Sequence, residues 1–291
     1  MVKWRGREGS RNIEDARGRA PASAGLAAFI LRLVVSRFGL GGVAVLAAGF
    51  VGLSLIGVNP LTLFSGGAGS GARLASEDRE TGDFVSVVLR ETEIVWGGVF
   101  AEAGAAYQLP TLRMFTGSVQ SACGFASAAT GPFYCPRDRK IYLDTDFFAE
   151  LAQQYGASGD FATAYVIAHE VGHHVQTLTG VSDKVQAAQA RASKVEANAI
   201  QVRTELQADC FAGVWASRAG AMRDLLDEGD IEEGLNAASA IGDDILQRNA
   251  GRRVTPESFT HGTSAERVRW FKTGYQTGNV DACDTFSETE F

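Results

Sequence analysis

A run of twenty residues, 39–58, carries no charged side chain, and Ser54 is its only polar side chain. A helix of this length can cross the hydrocarbon core of a bilayer. The first 58 residues hold eight Lys and Arg and three Asp and Glu, and all eight basic residues precede the run. The rest of the chain holds 19 basic and 31 acidic side chains. The positive-inside rule therefore predicts a single transmembrane helix, with the N-terminus in the cytoplasm and the following domain on the far side.

Two other interpretations of the run are weaker. A cleaved signal peptide is disfavoured because nearly forty residues precede the run and no A-x-A-like site follows it. A buried core helix is disfavoured because such helices rarely stay uncharged over twenty residues. We therefore expect a basic leader at 1–38, the span at 39–58, a flexible linker at 59–83 rich in Gly, Ser and charge, and a folded domain at 84–291. The acidic domain argues against a nucleic-acid partner.

The spacing of apolar residues predicts a mainly helical domain. Ala-rich stretches with helical periodicity cover residues 146–155, 161–178, 182–218 and 231–248, and a shorter helix is expected at 265–273. Residues 132–135 and 141–143 flank a turn-forming segment, which predicts one β-hairpin. The fold class expected is α+β, mainly α with a small β-hairpin or sheet.

A metal site is indicated by His169, Glu170 and His173, which form an HExxH motif within an apolar helical run. Residues four apart on a helix differ by only about 40° in direction, so both histidines can bind one zinc ion. Glu170 beside them can take a proton from a zinc-bound water. His174 points about 140° away from His169, so we interpret it as an ordinary packed or surface histidine.

A third ligand is expected from the downstream helix, where Glu205 and Asp209 lie one turn apart. Two such acids usually lie on a solvated helix face. Next to two histidine ligands, however, Glu205 completes a His2Glu set with an open fourth position, the pattern of a catalytic zinc site. Asp209 is then expected to accept the second ring N–H of a ligand histidine. The cofactor expected is one Zn²⁺ ion.

All four cysteines follow the predicted span, which suits disulfides in an exported domain. Four cysteines allow three pairings. We favour Cys123 with Cys135, which bracket a short loop, and Cys210 with Cys283, which would tether the tail. A cysteine zinc site is disfavoured because no C-x-x-C spacing occurs.

The residues resemble the neutral zinc metallopeptidase family of bacteria, which looks like part of the gluzincin clan of HExxH plus ExxxD peptidases. The resemblance covers nearly the whole chain. It rests on the leader (Trp4-Arg5-Gly6-Arg7, Ser10, Asn12), on Cys123-Gly124, on residues 131–136 and 142–144, on residues 169–176 and 205–213, and on residues 259–264 with Arg267, Trp270 and Phe271.

This resemblance implies a zincin-like domain with peptidase chemistry and zinc, hence a peptide or protein as substrate. Together with the predicted span, it places the protein at the bacterial inner membrane, with the N-terminus cytoplasmic and the catalytic domain extracytoplasmic. By analogy with gluzincins, His261 is a second catalytic residue that donates to the developing oxyanion, although a helix-capping loop histidine is the alternative. Arg267 is a candidate for orienting His261. Residues 140–144 are either the strand edge that holds the substrate or part of a simple packed hairpin. Tyr134 and Tyr142 are candidate pocket residues, although aromatic hairpins are more often core.

The sequence thus predicts peptide hydrolysis by zinc-activated water with Glu170 as general base. A membrane-anchored binding or adaptor protein that keeps the zinc site for stability is the alternative from another class. It is less favoured because a structural site needs no base at position 170. Non-peptide hydrolysis at the same zinc would use the same residues. The oligomeric state is left open, and the leader is either a plain topology signal or a contact for lipid headgroups or a cytoplasmic partner.

Overall fold

The computed structural model describes residues 1–18, 71–127 and 130–287. The chain divides into two compact units, one formed by Met1–Arg17 with Thr81–Phe291 and the other by Gly18–Glu80. The predicted span, residues 39–58, lies outside the described residues. Across the described ranges, no helix is both long and apolar enough to cross a membrane.

Helices form most of the described structure. They are α1 (Gly71–Glu102), α2 (Asp146–Tyr155), α3 (Asp160–Leu178), α4 (Val181–Gln189), α5 (Lys194–Arg223), α6 (Asp230–Ala240), α7 (Asp243–Asn249) and α8 (Ser264–Thr277). The strands are β1 (Ile13–Asp15), β2 (Thr111–Phe115), β3 (Ser118–Ser121), β4 (Gly124–Ser127), β5 (Phe133–Cys135) and β6 (Lys140–Asp144). The expected α+β class, mainly helical with a small sheet, is confirmed.

Two predicted helical stretches each contain two helices in the structure. For 182–218, the length of chain between His173 and Glu205 itself predicts a first helix from 182 to about 197, and this helix ends earlier, at Gln189. The stretch at 182–218 is interrupted because Ser193 caps α5, accepting a hydrogen bond from the Glu196 N–H, while the Glu196 carboxylate accepts from the Ser193 N–H. This reciprocal capping box starts a new helix. The stretch at 231–248 is interrupted at Gly242, where an added Cβ would lie 2.4 Å from the Ser264 nitrogen. Only glycine permits this close approach to the start of α8.

The sheet has the strand order β1-β2-β6-β5. β1 and β6 both run parallel to β2, and β5 pairs antiparallel to β6 as the predicted hairpin, with Phe133 opposite Tyr142. β3 and β4 form a separate antiparallel pair. Because β6 has a partner on each side, the expectation that residues 140–144 form a free substrate-binding edge is wrong. Among the described strands, β5 is the edge on that side.

The first seventeen residues, here called the N-terminal strap, pack in the same unit as residues 81–291. Arg7 pairs with Glu91 at 3.0 Å, and both Ser10 (2.6 Å) and Asn12 (2.8 Å) donate to Glu93. Glu91 and Glu93 are almost fully buried, so they need these partners. The strap is therefore part of the folded body, whereas the sequence had suggested a separate leader at 1–38.

One further boundary differs from expectation. Helix α1 begins at Gly71, so the last part of the predicted linker at 59–83 is helical. Val88, Leu89 and Trp96 of this helix are fully buried. The sequence did not predict this helix because its first turns are polar and glycine-rich.

Both expected disulfides are present. Cys123 is bonded to Cys135 and Cys210 to Cys283. The first ties the turn between β3 and β4 to β5. The second ties the C-terminal segment to the middle of α5. Loop closure by each bridge limits the freedom of the unfolded chain and so stabilises the fold.

Candidate metal centre

Helices α3 and α5 carry the predicted metal ligands and approach each other closely. At Gly172, within the HExxH motif, an added Cβ would lie 3.0 Å from both the Cα and the carbonyl oxygen of Ala208. Small residues at both positions allow the two backbones to meet. Because Glu205 and Asp209 lie on either side of Ala208 on α5, this contact brings them to the histidines of α3.

The predicted ligand atoms converge on one point. Ring nitrogens of His169 and His173 and a carboxylate oxygen of Glu205 lie within 4.8 Å of one another. The Glu205 Oε2 atom is 3.0 Å from His169 Nε2 and 3.4 Å from His173 Nε2. His169 and Glu205 are buried, and His173 is partly exposed. Two imidazole nitrogens and one carboxylate with an exposed side match the donor set of a catalytic zinc site.

Asp209 lies where a supporting residue was expected. Its Oδ1 atom accepts a hydrogen bond from His169 Nδ1 at 2.9 Å and another from the Tyr165 hydroxyl at 2.5 Å. The His169 Nδ1 atom therefore carries the proton, and its Nε2 lone pair faces the proposed metal position.

Arg267 completes this buried network, and it does not orient His261 as we had suggested. Its Nε donates to Asp209 Oδ2 at 2.9 Å, and its Nη2 donates to Asp209 Oδ1 at 3.0 Å and to the Tyr165 hydroxyl at 3.1 Å. Arg267 and Asp209 are both essentially inaccessible to solvent. The role of Tyr165 was not predicted, although it precedes His169 by one helical turn and so lies on the same face.

The pKa values of the buried groups follow from these contacts. Burial alone would raise the pKa of Asp209, but Arg267 and His169 outweigh it and lower the value to about 2. Burial alone would lower the pKa of His169, but Asp209 and Glu205 raise it to about 10 in the metal-free chain. Burial raises the pKa of the Glu170 carboxyl, against the opposing effect of His173 and His169. A carboxyl with a raised pKa suits a group that accepts and returns a proton.

Two glutamines that the sequence analysis did not single out hold the other ligands. Gln176 Oε1 accepts from His173 Nδ1 at 2.8 Å, and Gln201 Nε2 donates to Glu205 Oε1 at 2.7 Å. The signal was present in their spacing, since Gln176 follows His173 by three residues and Gln201 precedes Glu205 by four, which is one helical turn. Each ligand thus has its own hydrogen-bonding partner.

The site opens into a cleft of about 980 Å³. One wall is edge strand β5 with its flanking residues 130–136, and Glu170, His173 and His261 line the same cleft. The side chain of His261 is 48% exposed. Its main-chain N–H and that of Gly262 donate to the carboxylate of Asp243, which fixes this loop at the cleft.

The remaining aromatic and histidine candidates separate into two groups. Tyr134 lines the cleft, and its hydroxyl lies 3.0 Å from Nδ1 of His174, which is fully buried off the metal face, as expected. His174 Nε2 donates to the Gln108 carbonyl at 2.6 Å, so Nδ1 accepts the Tyr134 proton. Tyr142 instead stacks on Phe133 with ring centroids 4.8 Å apart and is not itself among the residues that line the cleft.

Comparison with known proteins agrees with the site. A model of the family described as "Putative neutral zinc metallopeptidase" matches residues 2–286. The chain is 44% identical over 291 residues to uncharacterized protein YpfJ of Escherichia coli K12, covering 99% of this chain and 100% of that protein. It is 48% identical over 195 residues to uncharacterized protein Rv2575 of Mycobacterium tuberculosis H37Rv, covering 63% of this chain and 64% of that protein. No solved structure matches the chain.

Proposed function

This chain belongs to the putative neutral zinc metallopeptidase family, and from that premise we propose that it hydrolyses peptide bonds with one zinc ion held by His169, His173 and Glu205. The observation that carries the proposal is the convergence of these three ligands beside Glu170 on the wall of an open cleft. A bound zinc ion would supply a Lewis acid that polarises the substrate carbonyl and acidifies a water molecule.

The residues of the chain have distinct roles in this proposal. Glu170 removes the proton from the attacking water and later gives it to the leaving amine, and its buried position and raised pKa favour this exchange. Asp209 and Gln176 keep the ring Nδ1–H of the two histidines engaged, so that each Nε2 can bind metal. His261, at the same cleft, donates a hydrogen bond to the carbonyl oxygen as it becomes negative.

The substrate is proposed to lie along strand β5. This strand is at the edge of the described sheet, and it borders the cleft that contains Glu170 and His173. An edge strand offers unpaired main-chain groups to an extended peptide, and a peptide held in this way places a scissile bond next to the metal ligands. Its neighbour β6 already has two strand partners and cannot do so.

The proposal includes attachment to the bacterial inner membrane through residues 39–58. The packing of the N-terminal strap in one unit with residues 81–291 supports placing both on the same side of that membrane. An added Cβ at Gly82 would lie 2.7 Å from the Arg17 guanidinium, so the two ends of the intervening segment meet. This arrangement differs from the opposite sides that the distribution of basic residues suggests.

The test compares wild type with Glu170→Gln and Glu205→Ala, using elemental analysis of the full chain and cleavage of an internally quenched peptide library. We expect about one zinc in wild type and Glu170→Gln, loss of zinc in Glu205→Ala, and hydrolysis by wild type alone. Glu257→Gln, at an exposed position, is the control and should behave like wild type.

Hydrolysis by Glu170→Gln at the wild-type rate would refute the general-base role. Zinc binding without hydrolysis by any variant, wild type included, would favour the binding or adaptor function instead. Equal zinc content in Glu205→Ala and wild type would refute the ligand assignment.

A further inference from the structure

Two buried amides connect the metal centre to the C-terminal disulfide. Gln176 accepts from His173 Nδ1, and its own Nε2 donates to the Thr204 carbonyl at 2.7 Å and to Gln207 Oε1 at 3.0 Å. Gln207 Nε2 in turn donates to the Cys283 carbonyl at 3.0 Å. Gln176 is 1% exposed and Gln207 is 7% exposed. We call this pair of side chains the amide relay.

The hydrogen bonds of the relay fix the orientation of both side-chain amides. Main-chain carbonyls accept hydrogen bonds and never donate them, so the Cys283 and Thr204 carbonyls require the NH₂ groups of Gln207 and Gln176 to face them. The Gln176 oxygen must then face His173. An acceptor at that position requires a proton on His173 Nδ1, which leaves the Nε2 lone pair for a metal.

The last acceptor is held by a covalent bond. Cys283 lies in a short 3₁₀ turn, Val280–Cys283, and is bonded to Cys210 in the middle of α5. Cys210 directly follows Asp209, the partner of His169. The disulfide thus fixes the Cys283 carbonyl against α5, within reach of Gln207 one turn before Cys210.

We propose that the amide relay sets the tautomer and orientation of His173, and that the Cys210–Cys283 disulfide completes the metal centre by holding the carbonyl at the end of the relay. Gln176 and Gln207 are positioning residues that act through His173, and the inference rests on the zinc site proposed above. The relay is uncharged, which suits a site that already holds the carboxyl groups of Glu170, Glu205 and Asp209.

The first experiment measures the zinc dissociation constant of the full chain by competition with a chromophoric chelator. Gln176→Leu should weaken zinc binding about 10- to 100-fold, as is typical for loss of a partner of a metal ligand. Gln207→Leu should weaken zinc binding less, because Gln176 keeps its hydrogen bond to the Thr204 carbonyl. Gln154→Leu, an exposed glutamine of α2, should bind as wild type does.

A second readout separates positioning from a general loss of stability. In the cobalt(II)-substituted protein, the ring N–H protons of His169 and His173 should give two exchangeable, paramagnetically shifted proton resonances. Gln176→Leu should lose or strongly broaden one of them, because that N–H then exchanges with water. If both resonances persist unchanged in Gln176→Leu, the relay does not hold His173.

The disulfide is tested by Cys210→Ala/Cys283→Ala beside Cys123→Ala/Cys135→Ala, which removes the bridge that does not contact the relay. The first pair should weaken zinc binding at least as much as Gln207→Leu, and the second should not. Wild-type affinity in a folded Cys210→Ala/Cys283→Ala protein overturns the coupling. If that double variant does not fold, the zinc affinity of Gln207→Leu, in which the disulfide is intact, still tests whether the relay supports the metal centre.

The outcomes distinguish this inference from the proposed function. If wild type binds no zinc, both the proposed zinc site and the proposed role of the relay are refuted. If wild type binds zinc and cleaves peptides but Gln176→Leu binds zinc equally well, the peptidase proposal stands and the relay alone is refuted.

Discussion

Arg267→Leu should destabilise the protein far more than a surface change on the same helix. The guanidinium is 2% exposed and donates three hydrogen bonds to the buried groups of Asp209 and Tyr165. Leucine fills part of the space but leaves the Asp209 carboxylate, which is inaccessible to solvent, with only His169 and Tyr165 as partners. The main cost is therefore the loss of one of the two cationic partners of a buried carboxylate, since His169 remains as the other.

The expected loss is about 3–5 kcal/mol of unfolding free energy, the usual cost of removing one partner from a buried ion pair. Arg269→Leu is the matched control, since Arg269 is exposed two residues further along α8 and should change stability by no more than about 0.5 kcal/mol. Adding Asp209→Asn to Arg267→Leu should recover much of the loss, because it removes the buried charge that Arg267 offsets.

The assay is chemical denaturation of the full metal-free chain in a chelating buffer at neutral pH, followed by the fluorescence of buried Trp96 and Trp215. Without metal, the measured change in unfolding free energy reflects the ion pair and contains no contribution from zinc binding. A loss below about 1 kcal/mol for Arg267→Leu, or equal losses for Arg267→Leu and Arg269→Leu, would refute the argument that Arg267 compensates the charge of Asp209.

Three other predictions test different parts of the structure. Zinc binding should release about two protons at pH 6, because the pKa values of metal-free His169 (about 10) and His173 (above its usual 6.5) both exceed this pH. Apparent zinc affinity should then rise with pH, and titration calorimetry showing no dependence on buffer ionisation would contradict this. Gly274→Ala should cost at least about 1–3 kcal/mol, because an added Cβ would lie 1.9 Å from the Cys210 carbonyl oxygen. Gly220→Ala, whose nearest contact is 3.5 Å, should be neutral or slightly stabilising in the same denaturation assay. Single cysteines introduced by Glu8→Cys and Gln154→Cys should react alike with a membrane-impermeant maleimide in spheroplasts, since all four native cysteines are in disulfides. Labelling of only one would contradict the placement of the strap and the domain on one side.

The sequence predicted those parts of the molecule that have a local signal. The HExxH helix, α2, the β5–β6 hairpin and the approach of Glu205 and Asp209 to the histidines all follow from spacing within one or two helices. Both disulfides were also expected, from loop length and the position of the tail.

The parts that were missed depend on contacts between distant segments. The pairing of Arg267 with Asp209 spans 58 residues, and that of Gln207 with the Cys283 carbonyl spans 76. Strand β1 is three residues long, and its pairing with β2 is parallel, so no local pattern marks it. The break at Gly242 shows a further limit, because helical periodicity continues across it while close packing against the start of α8 ends the helix.

The N-terminal strap also sets an order of events during synthesis. Arg7 donates to the carbonyl of Arg223, which the ribosome makes 216 residues later, or after about 10–40 s at ordinary elongation rates. The contacts of the strap with Glu91 and Glu93 span only 84 and 83 residues, so those partners are made much earlier. Residues 39–58 are therefore synthesised well before the strap can make all of its contacts. Docking then brings Arg17 next to Gly82, so the chain closes into a loop whose ends are residues 17 and 82.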